Sequence, residues 1–244
     1  MDRHIEFARL HNFRDLGGYP AADGRTVAWQ RLYRSDSLGM LDGADLATFR
    51  ALGVRTVIDL RHEWEIAKNG RVPAYDGLNY HHLPIEHRPF DQVSLGPDVD
   101  PAVFLAQRYA EVAADGVREL AQVLRTLVDG EYPIVFHCAS GKDRTGVVAA
   151  LTLTLLGVPE DVVVADFALT ERARERLVGD WLAEHPGRTP TWPAFGHTPP
   201  EIMRNFLRDL DETYGSVARY CREHLAVDDE LVAALQSKYL DRRE

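Results

Sequence analysis

Short apolar runs alternate along the chain with longer segments in which apolar residues recur every three or four positions. The runs 54–58 and 133–137 are rich in β-branched residues and predict buried strands of a parallel sheet. A third run, 78–83, predicts another strand of that sheet. Residues 145–156 are apolar on nearly all faces, which predicts a central buried helix that ends at Gly157.

Amphipathic helices are predicted between and after these strands. Residues 42–52 show helical spacing, and Asp100 followed by proline is typical of a helix start. Beyond residue 156 the chain is predicted to be helical to its end, with a capping box formed by Thr198 and Glu201. The pattern as a whole predicts one α/β domain spanning residues 1–244, with a mostly parallel central sheet, helices on both faces and a helical C-terminal half.

The segment between the last apolar strand and the central helix carries the chemistry. It reads His-Cys-Ala-Ser-Gly-Lys-Asp-Arg-Thr-Gly over residues 137–146. A strand, a tight loop and a helix in this order direct backbone N–H groups and the positive end of the helix to one point, where an anion binds. Cys138 supplies a nucleophile there, and the planar guanidinium of Arg144 matches two phosphate oxygens. Thr145 supplies a hydroxyl for the departing thiolate.

The other loop residues complete a predicted phosphate-binding cradle. Gly141 allows a positive φ angle and a close approach of the backbone to a ligand. Lys142 adds a second cation, while Ala139 and Ser140 contribute backbone amides. These features predict a cysteine-dependent phosphomonoester hydrolase that needs no metal or other cofactor. Two alternatives are a buried structural cysteine before a helix and a module that binds phosphorylated ligands without turnover.

The loop His-Cys-x-x-Gly-Lys-Asp-Arg-Thr resembles that of the atypical bacterial protein tyrosine phosphatases of the PtpB-like branch. Further matches in order are residues 12–18, 34–38, 59–61 and 214–217, so the resemblance spans most of the chain. It implies activity on phosphotyrosine proteins, with phosphoserine, phosphothreonine or phosphoinositides as further substrates. It also implies that residues 171–198 form a helical lid, whose arginines 172, 174 and 176 either meet phosphate or lie on a solvated helix face.

The general acid is the least determined residue of the predicted site. A tyrosine leaving group has a pKa near 10 and calls for proton donation. The resemblance points to Asp143, although a carboxylate at this position is equally expected as a helix cap. Asp59, at the end of a predicted strand, is the second candidate or else a structural anchor that orients Arg144 or the loop. Glu86 and Asp91 are further candidates after the 78–83 strand.

Several charged residues are predicted to support the site. His137 is expected to order the loop by hydrogen bonding. The resemblance implies that five further charged residues line or brace the site, although each is more typical of an ion pair than of a ligand contact: Arg14, Asp15, Arg34, Asp36 and Arg61. The three arginines among them, with Lys142 and Arg144, are alternatively expected to keep the mouth of the site positive.

Composition restricts the partners. The 244 residues include 45% hydrophobic and 27% charged residues, as in ordinary globular proteins. A formal net charge of −10 argues against nucleic acid and allows at most transient contact with anionic membranes. Two cysteines are too few for a disulfide framework, and a catalytic thiol favours a reducing compartment. We therefore expect a cytoplasmic enzyme. Export without a cleavable signal peptide is the alternative. The oligomeric state is not predicted.

Overall fold

The apolar run before Cys138 forms the middle strand of a five-stranded sheet in the computed structural model, which describes residues 2–85 and 92–241. The strand order is β1-β2-β5-β3-β4. β1 is antiparallel to β2, and the other neighbours are parallel. The strands are β1 Arg14–Asp15, β2 Leu32–Ser35, β3 Thr56–Asp59, β4 Asn79–His82 and β5 Ile134–His137. The predicted mostly parallel sheet is therefore confirmed.

Helices cover both faces of this sheet, which confirms the predicted α/β class. Two short 3₁₀ helices, Leu38–Met40 and Leu169–Ala173, accompany the α-helices. The α-helices are α1 Gly43–Ala51, α2 Glu63–Asn69, α3 Pro101–Asp115, α4 Val117–Asp129, α5 Asp143–Leu155, α6 Glu160–Ala168, α7 Arg174–Glu184, α8 Pro200–Tyr214, α9 Val217–His224 and α10 Asp229–Tyr239.

Alternation along β5 divides the interior into two apolar cores. Ile134 and Phe136 belong to the larger core, whereas Val135 belongs to the smaller one, because successive strand side chains point to opposite faces. The larger core includes the buried residues of α3, α4, α5 and α8. Helix α5 is buried along nearly its whole length, as its apolar sequence predicts.

The register of the sheet brings three strand ends together. Ser35 at the end of β2 and Asp59 at the end of β3 both lie opposite His137, the last residue of β5. Because these strands are parallel, the loops that follow them leave from the same edge of the sheet. The segment after His137 is thus flanked by the segments after Ser35 and Asp59.

The predicted helix boundaries are mostly confirmed, with one exception. Asp100 caps α3, its side chain accepting hydrogen bonds from the N–H groups of Ala102 and Val103. The capping box at Thr198 is wrong, because α8 begins at Pro200 and its start has no side-chain cap. Thr198 instead donates its N–H and hydroxyl to Glu171, at 2.8 and 3.2 Å. A tertiary contact has replaced the local one.

The matching segment 214–217 near the C-terminus has a structural role. Gly215 ends α8 with a φ of 87°, in the left-handed region that glycine adopts without strain. The hydroxyl of Ser216 then accepts a hydrogen bond from the N–H of Arg219 and caps α9. Across the described residues, the helices fall short of the length and apolar character that crossing a bilayer requires.

Candidate active site

The loop between β5 and α5 is built around Gly141. This glycine has a φ of 66°, and a Cβ atom at its position would lie 2.6 Å from the carbonyl oxygen of Ser35. Both the backbone angle and the space therefore exclude any other residue. Cys138, the first loop residue, is only 2% exposed.

Three neighbouring segments hold the carbonyl groups of the loop. The N–H of Ser37 donates to the oxygen of Ala139 at 3.1 Å, and the side-chain amide of Asn12 donates to that of Ser140 at 2.9 Å. Arg34 donates to the oxygen of Gly141 at 2.7 Å. In a trans peptide the next N–H points opposite to the carbonyl. The N–H groups of residues 140–142 therefore point away from these partners and stay available to an anion.

Arg144 is fixed by a carboxylate that sequence reasoning missed. Its two terminal nitrogens donate to the two carboxylate oxygens of Glu65 at 2.6 and 2.8 Å, a bidentate arrangement. Glu65 also accepts the N–H of His62 at 2.7 Å and so caps α2. Burial alone would raise the pKa of Glu65, but the bonds from Arg144 outweigh it and keep that pKa below its usual value. The available signal was the His62-x-x-Glu65 spacing, which resembles a capping box.

Asp143 lies at the start of α5 with its side chain partly exposed. One carboxylate oxygen, Oδ1, accepts a hydrogen bond of 2.8 Å from the hydroxyl of Tyr109 on α3. The ammonium group of Lys142 lies 3.7 Å from the same oxygen. Asp143 also lines a cleft above the loop.

Asp59, the second acid candidate, is a buried ion-pair partner of Arg61. It is fully buried and accepts two side-chain hydrogen bonds from Arg61, while the ring of His137 lies 3.4 Å away. Burial would raise the pKa of Asp59, but the nearby ring of His137 and the charge and hydrogen bonds of Arg61 outweigh it and hold that pKa far below its usual range. A carboxylate held so firmly in its ionised form is a poor proton donor. Glu86 and Asp91, the further acid candidates, lie outside the described residues.

A group of buried charges behind the loop centres on Asp166, which the sequence did not reveal as a site residue. Its carboxylate accepts hydrogen bonds from Arg14 at 3.0 Å and Arg34 at 2.6 Å, and all three side chains are buried. Arg61 is likewise buried against Asp59. The idea that these arginines keep the mouth positive is wrong, and the ion-pair alternative is correct. Buried charges are retained only where they are paired in this way.

Asp15 and Asp36 accept hydrogen bonds from backbone N–H groups near the site. Asp15 accepts the N–H groups of Gly17 and Gln30, each at 2.7 Å. Asp36 accepts the N–H of Asn12 at 3.2 Å, which positions the residue that holds Ser140. Neither carboxylate lines the cleft, so both support the fold around the site.

A cleft of about 430 Å³ opens above the loop. Its floor includes Lys142 and Asp143, and its lining comes from four parts of the chain. From the loop come Ala139, Ser140, Lys142 and Asp143; from α2, Trp64; from residues 92–93, Gln92 and Val93; and from the 171–198 segment, Leu177, Val178, Trp181, Arg188, Phe195 and Gly196. Aromatic and aliphatic side chains thus form the walls around a polar floor.

The 171–198 segment forms one wall of this cleft through α7 and the loop after it. None of its arginines 172, 174 and 176 is among the lining residues, so the prediction that they meet phosphate is not supported. Whether the segment moves as a lid stays a prediction. Below the floor, the hydroxyl of Thr145 is buried without a hydrogen-bond partner among the described residues.

A family model described as the tyrosine phosphatase family matches residues 5–241. The chain belongs to this family. A protein of Cupriavidus necator named as a tyrosine-protein phosphatase is 32% identical over 98% of this chain and 89% of its own length. The triple specificity protein phosphatase PtpB of Mycobacterium tuberculosis is 29% identical over 87% of this chain and 90% of its own length.

This tyrosine phosphatase also has weak similarity to solved structures. The core catalytic domain of the PP-IP phosphatase Siw14 from Saccharomyces cerevisiae has 13% identity and a TM-score of 0.39, covering 74% of this chain and 88% of that domain. Family membership makes the chain a phosphatase enzyme, whose reaction is cysteine-dependent hydrolysis of a phosphomonoester. The non-catalytic binding alternative is thereby excluded. Within residues 2–85 and 92–241, no group of three or more His, Cys, Asp or Glu side chains is placed to hold a metal ion.

Proposed function

We propose that this phosphatase hydrolyses phosphotyrosine in proteins, with Cys138 as the nucleophile and Asp143 as the general acid. The observation that carries the proposal is the cleft, in which Lys142 and Asp143 lie on the floor between aromatic walls. A phenyl ring fits between such walls, and its phosphate would reach the loop below. Trp64 of α2 and Trp181 of α7 supply two of these walls.

The first step transfers the phosphoryl group to sulfur. The thiolate of Cys138 attacks phosphorus in line, and the bond between phosphorus and the phenol oxygen breaks. Arg144, which Glu65 holds in a fixed orientation, and the amides of residues 140–142 bind the phosphoryl oxygens. Asp143 delivers its proton to the leaving phenol oxygen.

The second step releases phosphate. Water attacks phosphorus and gives its proton to the Asp143 carboxylate, so the acid is restored. The sulfur–phosphorus bond breaks, and Cys138 leaves as a thiolate that the buried hydroxyl of Thr145 is proposed to stabilise. Lys142 adds positive charge near the phosphate.

A matched pair of cysteine variants tests the nucleophile. Cys138→Ser should abolish turnover of an aryl phosphate while binding of a phosphotyrosine peptide survives. Cys221→Ala is the control, because burial raises the pKa of Cys221 to about 12 and this thiol lies in the larger core. Equal losses in the two variants, or activity that survives Cys138→Ser, would overturn the assignment.

Substrate choice is tested by comparing kcat/KM for phosphotyrosine peptides, phosphoserine peptides and phosphoinositides. The name of the relative PtpB, a triple specificity phosphatase, makes the wider range the second candidate. A net charge of −10 weighs against a phosphoinositide in an anionic membrane. We expect phosphotyrosine peptides to be the best substrates, and a preference for phosphoinositides would contradict the proposal.

A further inference from the structure

Tyr109 reaches the reacting end of the loop from a different part of the fold. It lies on α3, is 1% exposed, and packs edge-on against Phe167 and Phe206. Its hydroxyl lies 2.8 Å from Oδ1 of Asp143. A purely structural tyrosine could satisfy its hydroxyl with a backbone carbonyl, as Tyr220 does with Ala113. Here the partner is instead the carboxylate that faces the cleft.

The direction of this hydrogen bond is fixed by the protonation of the phenol. Burial, together with the neighbouring Asp143 carboxylate, raises the pKa of Tyr109 well above its ordinary value. The phenol therefore keeps its proton at neutral pH and donates it to Oδ1. An oxygen that accepts a strong hydrogen bond is the less favourable one to protonate, so the proton of the acid form belongs on Oδ2.

We propose that Tyr109 is a positioning residue of this phosphatase, whose hydroxyl holds Oδ1 of Asp143 and so directs the transferable proton to Oδ2. The inference rests on the role of Asp143 under the proposed function. Tyr109 touches neither the phosphate nor the leaving group; it acts through Asp143. Its ring is held by α3, α6 and α8, so the hydroxyl stays in place while the substrate enters and leaves.

Other charged groups near Asp143 and Tyr109 also influence the pH profile. Lys142 is 3.7 Å from Oδ1, and the charges of Arg144 and Cys138 act within the same loop. Arg34 of β2 acts on Tyr109 from the sheet, and Arg188 lines the same cleft. Tyr109 → Phe leaves all of these groups unchanged, so a shift in the pH profile reports the lost phenol hydrogen bond.

The test compares kcat/KM–pH profiles of the wild type and Tyr109→Phe on aryl phosphates of different leaving groups. A hydrogen bond to a charged acceptor is stronger than one to a neutral acceptor, so the phenol favours the ionised carboxylate. Its removal should move the alkaline limb, where the acid loses its proton, upward by about half to one pH unit. With a phenol-like leaving group, kcat/KM should fall about tenfold because the acid is no longer aligned.

Two comparisons separate positioning from a structural effect. An aryl phosphate with a strongly acidic leaving group needs no proton in the first step, so Tyr109→Phe should leave its kcat/KM nearly unchanged. Tyr220→Phe, which also removes a buried phenol hydrogen bond to α3, should shift neither profile limb. Equal losses on both leaving groups, or the same profile shift in Tyr220→Phe, would overturn the inference.

The Asp143→Asn variant distinguishes failure of this inference from failure of the proposed function. If Asp143 is the acid, Asp143→Asn should lower kcat/KM, which reports the transfer of the phosphoryl group to sulfur, only on the poor leaving group, and adding Tyr109→Phe should cause no further loss of kcat/KM. An Asp143→Asn variant without that leaving-group dependence refutes the acid assignment itself. A normal Asp143→Asn result beside an unchanged Tyr109→Phe profile refutes only the role of Tyr109.

Discussion

Replacing Glu65 by Gln tests whether the orientation of Arg144 depends on its carboxylate partner. The wild-type pair has two charge-assisted hydrogen bonds of 2.6 and 2.8 Å, both buried. Each such bond contributes about 1.5–3 kcal/mol, and Gln keeps one neutral acceptor worth about 1 kcal/mol. The free energy of unfolding should therefore fall by roughly 2–5 kcal/mol. For a chain of this length that lowers Tm by about 4–20 °C.

The larger effect should be on catalysis. Without a fixed orientation, the guanidinium of Arg144 stabilises the transition state less well. We therefore expect kcat/KM to fall about 100-fold. The control is Glu63→Gln in the same first turn of α2, where the side chain is exposed. Denaturant unfolding and aryl phosphate kinetics on both variants provide the comparison. If Glu65→Gln and Glu63→Gln have the same kcat/KM, then Arg144 is held by the loop alone and the reasoning fails.

The pair also has a defined pH dependence. Because the pKa of Glu65 is lower in the folded state than in the unfolded chain, its stabilising contribution is present above the unfolded value. The contribution is lost as the pH falls through the lower, folded value. The stability difference between the wild type and Glu65→Gln should therefore narrow in acid, and a difference that widens in acid would contradict this linkage.

Two further predictions concern the scaffold and the cleft. Asp166→Asn leaves Arg14 and Arg34 buried beside a neutral amide, so the free energy of unfolding in urea should fall by about 3–5 kcal/mol. Asp161→Asn, at an exposed position of α6, is the control and should change this free energy little. Equal losses in the two variants would contradict the role of the ion pair. Trp64 lines the cleft and is 67% exposed. Trp64→Ala should therefore raise KM for a phosphotyrosine peptide several-fold, because apolar contact with the peptide is lost, and it should leave Tm unchanged. An unchanged KM would show that Trp64 is not part of the binding surface.

Sequence patterns were sufficient where the cause is local. The apolar runs around residues 56 and 134 predicted β3 and β5, and the continuous apolar stretch predicted the buried helix α5. The need for glycine at Gly141 also followed from the motif, and the structure supplies its reason in the nearby carbonyl of Ser35. Capping at Asp100 could be predicted because the carboxylate and the N–H groups that donate to it are only two or three residues apart.

Ion pairs between residues far apart in the chain could not be predicted from local sequence patterns. Glu65 is separated by 79 residues from Arg144, and Asp166 by 152 from Arg14, so no spacing rule connects them. Thr198 shows the converse: its local sequence predicted a capping box, but the residue instead binds Glu171, which is 27 residues away. In each case the decisive energy comes from burying charges or polar groups in pairs, which depends on the packed fold.

The sequence by itself determined the class of fold and was enough to propose the phosphate loop and its nucleophile, because these depend on short-range periodicity and on a compact motif. Only the tertiary structure decided which carboxylate faces the cleft and which are buried as anchors. Asp59 and Asp143 are both acids beside predicted strand or helix ends, yet one is surrounded by Arg61 and His137 and the other meets a tyrosine hydroxyl at the cleft. The surroundings that separate them come from different strands and helices, so they exist only once the chain has folded.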